Sequence, residues 1–257
     1  MKYDDLILAH AKYGTSREDI VKRLGYDRIS SYVVVAPWWK HTIFENHNLQ
    51  VEQITDKLYH ITGENIEFSF LELQMIGASA VLEAILPLGL TKCKKLLFIG
   101  SAGALSDEIA IGDIVIPNYS ICGDGASRYM NSNLEDEFLK REYPYGKFVD
   151  EVVDCCQRVY GKSIVLPNYS VDTIFAQFYA IPKILETGAK TIEMETAAVF
   201  KASQLMQIPT SALFVISDNT ITNKSLYSGR SQKEQEYRHY IRNTMIPNII
   251  IELLKEN

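Results

Sequence analysis

The 257-residue sequence has few of the residues that build metal centres or disulfide frameworks. It holds four cysteines, none in a C-x-x-C pair, and the adjacent Cys155 and Cys156 lack the spacing of a structural zinc site. None of its five histidines lies in a metal-binding or nucleophile pattern. We therefore expect buried, reduced thiols in a cytoplasmic protein, with no metal ion.

Long apolar runs and basic blocks are also missing. No apolar segment approaches the ~20 residues that cross a bilayer, and the N-terminus, Met1-Lys-Tyr-Asp-Asp5, lacks the apolar core of a signal peptide. The formal net charge is −6, and the 26 Lys and Arg residues form no basic stripe of the kind that binds nucleic acid. We expect partners among small molecules, and neither nucleic acid nor a membrane.

The composition and the hydrophobic pattern are typical of a well-cored α/β protein, with 47% hydrophobic and 23% charged residues. Runs that predict buried strands, such as Tyr32–Ala36 and Lys95–Ile99, alternate with segments of helical periodicity. No linker, internal repeat or low-complexity segment interrupts them. The pattern predicts one α/β domain over residues 1–257, with residues 1–30 as a helical segment packed on it.

Two segments place carboxylates next to predicted strands. Thr191-Ile-Glu-Met-Glu-Thr-Ala-Ala-Val-Phe200 puts Glu193 and Glu195 before a helical run, and Ser211-Ala-Leu-Phe-Val-Ile-Ser-Asp-Asn219 brings a strand to Asp218. Ligands of α/β folds bind where parallel strands end. The acids therefore either cap a helix and a turn, or they serve a site. In a site, Glu195 would accept hydrogen bonds from sugar hydroxyls, and a desolvated Asp218 would act as a general acid.

A third segment, Gly100-Ser-Ala-Gly103, follows a predicted strand. Glycines there allow backbone N–H groups to face an oxyanion, and the Ser101 hydroxyl adds a donor. The spacing fits neither a dinucleotide-binding fingerprint nor a P-loop, and a tight turn without a ligand is an equally good interpretation.

Four segments together resemble the nucleoside phosphorylase/nucleosidase family. They are Phe98-Ile-Gly-Ser-Ala-Gly-Ala104, Gly112-Asp-Ile-Val-Ile116, Ile192-Glu-Met-Glu-Thr-Ala-Ala198 and Ile216-Ser-Asp-Asn219. Each is weak alone, but they occur in the order and at the spacing of the family. The resemblance implies a three-layer α/β/α domain with a mixed, twisted central sheet. It also implies cleavage of an N-glycosidic bond, with no cofactor and with phosphate as co-substrate.

The resemblance further implies roles for individual residues. Asp218 would protonate a departing purine at N7 with the help of Arg230. Glu195 would bind the ribose hydroxyls with Met194 under the sugar. The remaining expected positions are Glu193 and Met75 at the ribose, Ser101, Gly100 and Lys40 at phosphate, and Ile174 and Phe175 at the base.

The sequence departs from the family at the phosphate site. The stretch Ala36-Pro-Trp-Trp-Lys40 replaces the family's phosphate loop, and Phe98 stands where the family has an arginine. A lysine does not reproduce the bidentate grip of an arginine, so we expect weak phosphate dependence. An arginine from elsewhere could refill the site, and the nearest along the chain are Arg17, Arg23 and Arg28.

Three functions remain open at this point. The first is phosphorolysis of a purine nucleoside, and the second is hydrolysis, with Glu72 as a candidate base for activating water. The third is nucleoside binding without turnover, which would not require the leaving-group acid Asp218. We also expect a homo-oligomer, either a dimer or a hexamer built from dimers. The sequence holds aromatic residues that we expect to be exposed and that suit interfaces: Trp38, Trp39, Tyr129, Tyr143 and Tyr145.

Overall fold

A computed structural model describes residues 1–255 as a mixed α/β fold around one central sheet. The strands are β1 (Tyr32–Ala36), β2 (Gln50–Gln53), β3 (Leu58–Gly63), β4 (Ile66–Glu72), β5 (Lys95–Ala104), β6 (Ile114–Gly123), β7 (Arg141–Glu142), β8 (Ile164–Val171), β9 (Thr191–Glu193) and β10 (Thr210–Asn219). Their order across the sheet is β10-β6-β8-β9-β5-β1-β4-β3-β2, with β7 paired to β6.

The helices cover both faces of this sheet. They are α1 (Tyr3–Lys12), α2 (Arg17–Arg23), α3 (Ala78–Ile85), α4 (Phe148–Tyr160), α5 (Gln177–Glu186), α6 (Thr196–Met206), α7 (Gln232–Tyr240) and α8 (Ile246–Leu254). Short 3₁₀ turns span Tyr26–Arg28, His41–Phe44, Leu86–Leu90 and Ser127–Met130, and a π-helical turn spans Ile241–Met245. No helix within residues 1–255 has the length and apolar character needed to cross a membrane.

The alternation of side chains along the strands produces the three layers. On β1, Val33 and Val35 belong to a core cluster with α3 and α6, whereas Val34 points into a second cluster with α4 and α8. Leu96 and Leu97 of β5 divide in the same way. Because successive side chains of a strand face opposite sides, a run of apolar residues builds two cores at once. The predicted three-layer α/β/α fold with a mixed central sheet is confirmed.

Strand β5 organises the sheet because it changes neighbours along its length. Its first half pairs in parallel with β1, and β10 runs parallel to almost all of it. Its last residues, Gly103 and Ala104, pair antiparallel with β9. The additional β10–β5 pairing closes β10, β6, β8, β9 and β5 into a ring, so that the ends of β5, β9 and β10 lie side by side.

One prediction about β5 is wrong. Gly100-Ser-Ala-Gly103 is not a turn, because β5 continues through it to Ala104 and is paired with β10 over this stretch. Its backbone therefore follows strand geometry and cannot form the oxyanion nest that the glycines suggested.

Two tyrosine hydroxyls of the N-terminal segment bond to α3 and to the 3₁₀ turn that follows it. Tyr3 Oη donates to the carbonyl of Leu86 at 2.5 Å, and Tyr26 Oη donates to the carbonyl of Ala84 at 2.8 Å. Ser16 caps α2 as its position in the sequence predicts, accepting a hydrogen bond from the Asp19 N–H. The four cysteines are buried and unpaired, as expected.

Gly112 allows α7 to approach β10. Its φ is +90°, and a Cβ at this position would lie 2.5 Å from the ring of Tyr237 on α7. The Gly112 N–H donates to the carbonyl of Ile216 at 2.9 Å, which fixes the loop to β10. Only glycine meets both conditions, because a side chain would be strained at this φ and would also collide with Tyr237.

We predict that Gly112→Ala lowers the free energy of unfolding by about 2–5 kcal/mol, the sum of left-handed backbone strain and overpacking. Gly188→Ala is the matched control, because Gly188 has φ +84° and no atom near its added Cβ. Its free energy of unfolding should fall only by the cost of backbone strain, about 1–2 kcal/mol. Urea unfolding of both variants measures the difference, and equal losses would contradict the proposed contact.

Candidate active site

A cavity of about 290 Å³ opens where β5, β9 and β10 end. The loop after β1 forms one wall, and the residues before and at the start of α5 form another. Predicted site residues on this cavity are Gly100, Ser101, Ile174, Glu193, Met194, Glu195 and Asp218. The structure therefore brings the two acidic segments and the serine segment to one cavity, although they are far apart in sequence.

Glu193 is buried and its carboxylate is fully engaged by the protein. Oε1 accepts from Asn168 Nδ2 at 2.7 Å and from Ser170 Oγ at 2.6 Å. Oε2 accepts from the backbone N–H groups of Glu195 at 2.7 Å and Thr196 at 2.9 Å. These four bonds use the acceptor positions of a carboxylate. Glu193 was expected at the ribose. In the structure its carboxylate instead binds the backbone at the start of α6 and so orients Glu195.

One carboxylate oxygen of Glu195 accepts a hydrogen bond from a backbone N–H group. Oε1 accepts from the Gly77 N–H at 2.6 Å. Burial raises the pKa of Glu195, and the neighbouring negative charge of Glu193 raises it further. The second oxygen forms no hydrogen bond within residues 1–255, so an incoming hydroxyl donor can reach it.

Asp218 lies at the end of β10 with a side chain only 3% exposed. Burial raises its pKa, while the hydrogen bond from Ser217 Oγ to Oδ1 at 2.5 Å and the charges of Arg230 and Arg238 act in the opposite direction. Gly103 leaves room for the carboxyl group, since a Cβ there would lie 3.1 Å from Asp218 Oδ2. A carboxyl with a raised pKa keeps its proton to higher pH, which is the property of a general acid.

Arg230 lies behind Asp218 and does not line the cavity. Its guanidinium donates to the carbonyl of Ser217 at 3.1 Å and to the carbonyl of Leu226 at 2.6 Å. The arginine thereby ties the loop after β10 to the residue that precedes Asp218. Its charge acts on the Asp218 carboxyl without a direct ion pair.

Besides Arg230, three residues expected at the site lie outside this cavity. Met75 is 49% exposed and lines a separate groove, and its neighbour Ile76 faces the cavity instead. Phe175 is 85% exposed, and Ile174 is the member of that pair that lines the cavity. In each case adjacent side chains point in different directions, which a motif match does not resolve. Lys40 lies in an adjoining cavity with Trp38 and Trp39.

The wall at which the family would bind phosphate is apolar here. Phe98 is buried and packs edge-on against Phe214, with ring centroids 5.8 Å apart. Trp38 and Trp39 continue this wall; Trp39 is buried, contrary to the expectation of an exposed aromatic, whereas Trp38 is exposed. Within the described part of the chain no Lys, Arg or His lines the cavity.

The arginines named as replacements do not reach the cavity. Arg28 precedes β1 and forms a bidentate, exposed ion pair with Glu52, both distances being 3.0 Å. Arg17 begins α2, and Arg23 lines the same groove as Met75. None of these three arginines is among the residues that line the cavity.

Glu72, the candidate base for activating water, is engaged elsewhere. Its Oε2 accepts from the His41 backbone N–H at 3.2 Å and is 2.9 Å from His41 Nδ1. The His41 ring stacks on Tyr59 at 3.8 Å. Glu72 is buried and is not among the residues that line the cavity.

Sequence reasoning missed several residues of the site. Gln177 and Leu226 line the cavity, and the Gly77 N–H holds Glu195. Arg238 of α7 acts on the charge of Asp218. The one signal in the sequence was the spacing of Arg238 and Arg242, which are four residues apart and so lie on one helical face. No residue near them in the sequence connects that face to Asp218.

Fold and site together define an α/β protein with a strand-end cavity that carries a buried acid pair and an apolar wall. The family profile described as the phosphorylase superfamily matches residues 70–243. The chain belongs to the phosphorylase superfamily. The sequence matches no curated protein at a significant level.

Solved structures share the fold at low sequence identity. The AMP nucleosidase of Bacteroides thetaiotaomicron is 17% identical, with a TM-score of 0.66 over 92% of this chain and 97% of that one. The Campylobacter jejuni 5′-methylthioadenosine/S-adenosyl homocysteine nucleosidase is 16% identical, with a TM-score of 0.69 over 88% and 98%. A uridine phosphorylase from Vibrio fischeri is 17% identical, with a TM-score of 0.72 over 88% and 92%.

The buried Glu195 predicts a pH-dependent cost in stability. A carboxyl whose pKa is raised on folding stabilises the folded state while both states are protonated, and this contribution is lost as pH rises above about 4.5, its ordinary value. Glu195→Gln keeps the acceptor for Gly77 and cannot ionise. We expect it to raise the Tm at pH 8 by at least roughly 2–4 °C, the shift that ~1 kcal/mol produces in a domain of this size.

Thermal unfolding at pH 4 and pH 8 measures this effect. The gain should be largest at pH 8 and small at pH 4. Glu186→Gln, at an exposed position of α5, is the control and should change neither value. A Glu195→Gln protein less stable than the wild type at pH 8 would show that the ionised carboxylate is well compensated.

Proposed function

We propose that the protein cleaves the N-glycosidic bond of a nucleoside, with phosphorolysis of a purine nucleoside as the first candidate reaction. The observation that supports this proposal is the shared cavity of Glu195 and Asp218 at the ends of β9 and β10. Both acids are buried with raised pKa values. Glu195 has one oxygen without a donor among the described residues, and Asp218 can supply a proton. Breaking the bond to a purine requires both functions.

In this reaction the bond between C1′ of the sugar and the base nitrogen breaks. Electrons move to the base, and Asp218 donates a proton to it at N7, so that the base leaves as a neutral molecule. Glu195 accepts hydrogen bonds from the ribose hydroxyls while Met194 packs under the sugar, which holds C1′ toward the nucleophile. With phosphate the products are the free base and ribose 1-phosphate.

Hydrolysis is the second candidate, and one observation favours it. Within the described residues no cation lines the cavity, so a phosphate dianion there would lack the charge-assisted hydrogen bonds that normally hold it. A neutral water molecule meets no such requirement. The bonding of Glu72 to His41 argues against Glu72 as the base that would activate this water.

Binding without turnover is the weakest of the three functions. A buried carboxyl such as Asp218 costs stability in its ionised form, and a pure binding site does not need a proton donor at the leaving base. We also propose a cytoplasmic homo-oligomer that acts in purine salvage. Exposed aromatic residues suit such an assembly, namely Trp38, Tyr129 and Tyr143.

Substitution of the general acid should separate catalysis from binding. Asp218→Asn keeps the size of the side chain but cannot deliver a proton, so kcat for purine nucleosides should fall by ~10²–10⁴-fold, whereas nucleoside Kd should change little. Asp107→Asn removes an exposed carboxylate and should leave both quantities unchanged. Steady-state kinetics and calorimetric titration measure the two effects. Wild-type turnover in the Asp218 variant would refute the assignment.

The nucleophile is identified by the products. We expect cleavage of purine nucleosides to depend only weakly on phosphate, because two missing charge-assisted hydrogen bonds weaken anion binding by roughly 10²–10⁴-fold. A panel of purine and pyrimidine nucleosides, incubated with and without phosphate and analysed by chromatography, gives ribose 1-phosphate or free ribose. Saturation at micromolar phosphate would contradict this expectation and would restore an ordinary phosphate site.

A further inference from the structure

A second cavity, of about 420 Å³, adjoins the first across Trp38 and Trp39. It lies between the loop after β1 and the π-helical turn that precedes α8. The residues that line it besides the two tryptophans and Ile43 are polar: Lys40, Thr42, Glu45, Asn46, Arg242 and Asn243. Among the described residues, the first cavity is lined by carboxylates and no cation, whereas this one is lined by two cations and one carboxylate.

Arg242 lines this cavity, and Arg238 lies one helical turn before it on α7. Arg238 and Arg242 are half-buried, and neither forms a salt bridge within residues 1–255. Among residues 1–255, Nε of Arg238 is buried without a hydrogen-bond partner, and its Nη2 lies 3.4 Å from His239 Nε2. The Arg242 Nε donates to the neighbouring Asn243 Oδ1 at 3.0 Å. Burial lowers the pKa of both side chains. Charges removed from water without a counter-charge are costly unless a ligand supplies one.

The local charge is positive even though Glu45 faces the cavity. Lys40 and Arg242 outnumber it, and Arg238 lies one helical turn before Arg242, close enough for the two charges to repel. Asp218 is the carboxylate that acts on Arg238, and it does so without an ion pair. An anion that entered the cavity would therefore meet an excess of positive charge.

The π-helical turn explains why Arg242 and Asn243 face this cavity. Pro247 has no N–H to donate to the carbonyl of Asn243, and in a regular α-helix its ring would clash with that carbonyl. The helix widens instead, and the Ile246 N–H donates to the carbonyl of Ile241, five residues back. Such turns often occur at functional sites because they redirect side chains from a regular helical face.

We propose that this second cavity binds a phosphoryl group through Lys40 and Arg242. The proposal rests on the proposed function, because it assigns the group to the substrate or co-substrate of the adjoining cavity. A guanidinium, an ammonium, two amides and a hydroxyl supply the donors that phosphoryl oxygens accept. The group has two possible sources, the 5′-phosphate of a nucleotide substrate and free inorganic phosphate.

Calorimetric titration of the full chain tests the proposal with three probes: inorganic phosphate alone, a purine nucleoside 5′-monophosphate and the uncharged nucleoside. In Arg242→Gln and in Lys40→Gln we expect a roughly tenfold to hundredfold loss of affinity for a phosphorylated probe beyond any loss for the nucleoside. Lys233→Gln removes one charge from an exposed position on α7 and should change no affinity. Two separate variants keep the test valid if one of them fails to fold.

The probe that the variants bind more weakly identifies the source of the phosphoryl group. A loss for the nucleotide alone assigns the cavity to the 5′-phosphate, and a loss for inorganic phosphate assigns it to the co-substrate; either result supports the proposal. Equal losses for charged and uncharged probes, or equal effects in Lys233→Gln, would overturn it. Phosphate binding without nucleoside cleavage would contradict the proposed function and leave the anion site standing.

Discussion

The geometry of the site depends on the buried carboxylate of Glu193. Asn168 and Ser170 reach it from β8, and the first N–H groups of α6 reach it from the other side. One acid thus joins a strand, the end of β9 and a helix N-terminus, where the helix dipole favours negative charge. Ser170 Oγ also accepts from the Ala197 N–H at 2.9 Å, which closes the network. Glu195 points into the cavity because this network sets the direction in which α6 begins.

The second constraint is the separation of charges between the two cavities. In the part of the chain that the structure describes, carboxylates without cations line the first cavity, and cations with one carboxylate line the second. Trp38 and Trp39 line both cavities. Charges interact more strongly in the protein interior than in water. Each cavity therefore favours ligand groups whose charge or polarity is opposite to that of its own lining side chains. Sugar hydroxyls suit the first cavity, and an anion suits the second.

Much of the fold was predictable because its signals are local. The apolar runs of β1, β5 and β10, the Ser16 cap of α2 and the amphipathic α4 follow from residues close together in sequence. The acidic segments were also recognisable as site segments. The individual side chains were less predictable: Ile76 rather than Met75, and Ile174 rather than Phe175, line the cavity. Which of two neighbours faces inward depends on backbone turns that packing decides.

The sequence by itself determined the α/β class, the two-sided apolar strands and the acids at strand ends, because each depends on short-range periodicity and turn chemistry. Only the tertiary structure decided which distant groups meet. Ring closure through β5 and β10 places Asp218 beside Gly103, and the turn that Pro247 imposes brings Arg242 to Lys40, some two hundred residues earlier in the chain. Such contacts arise from strand register and helix packing, which depend on the whole core and leave no mark at the residues concerned.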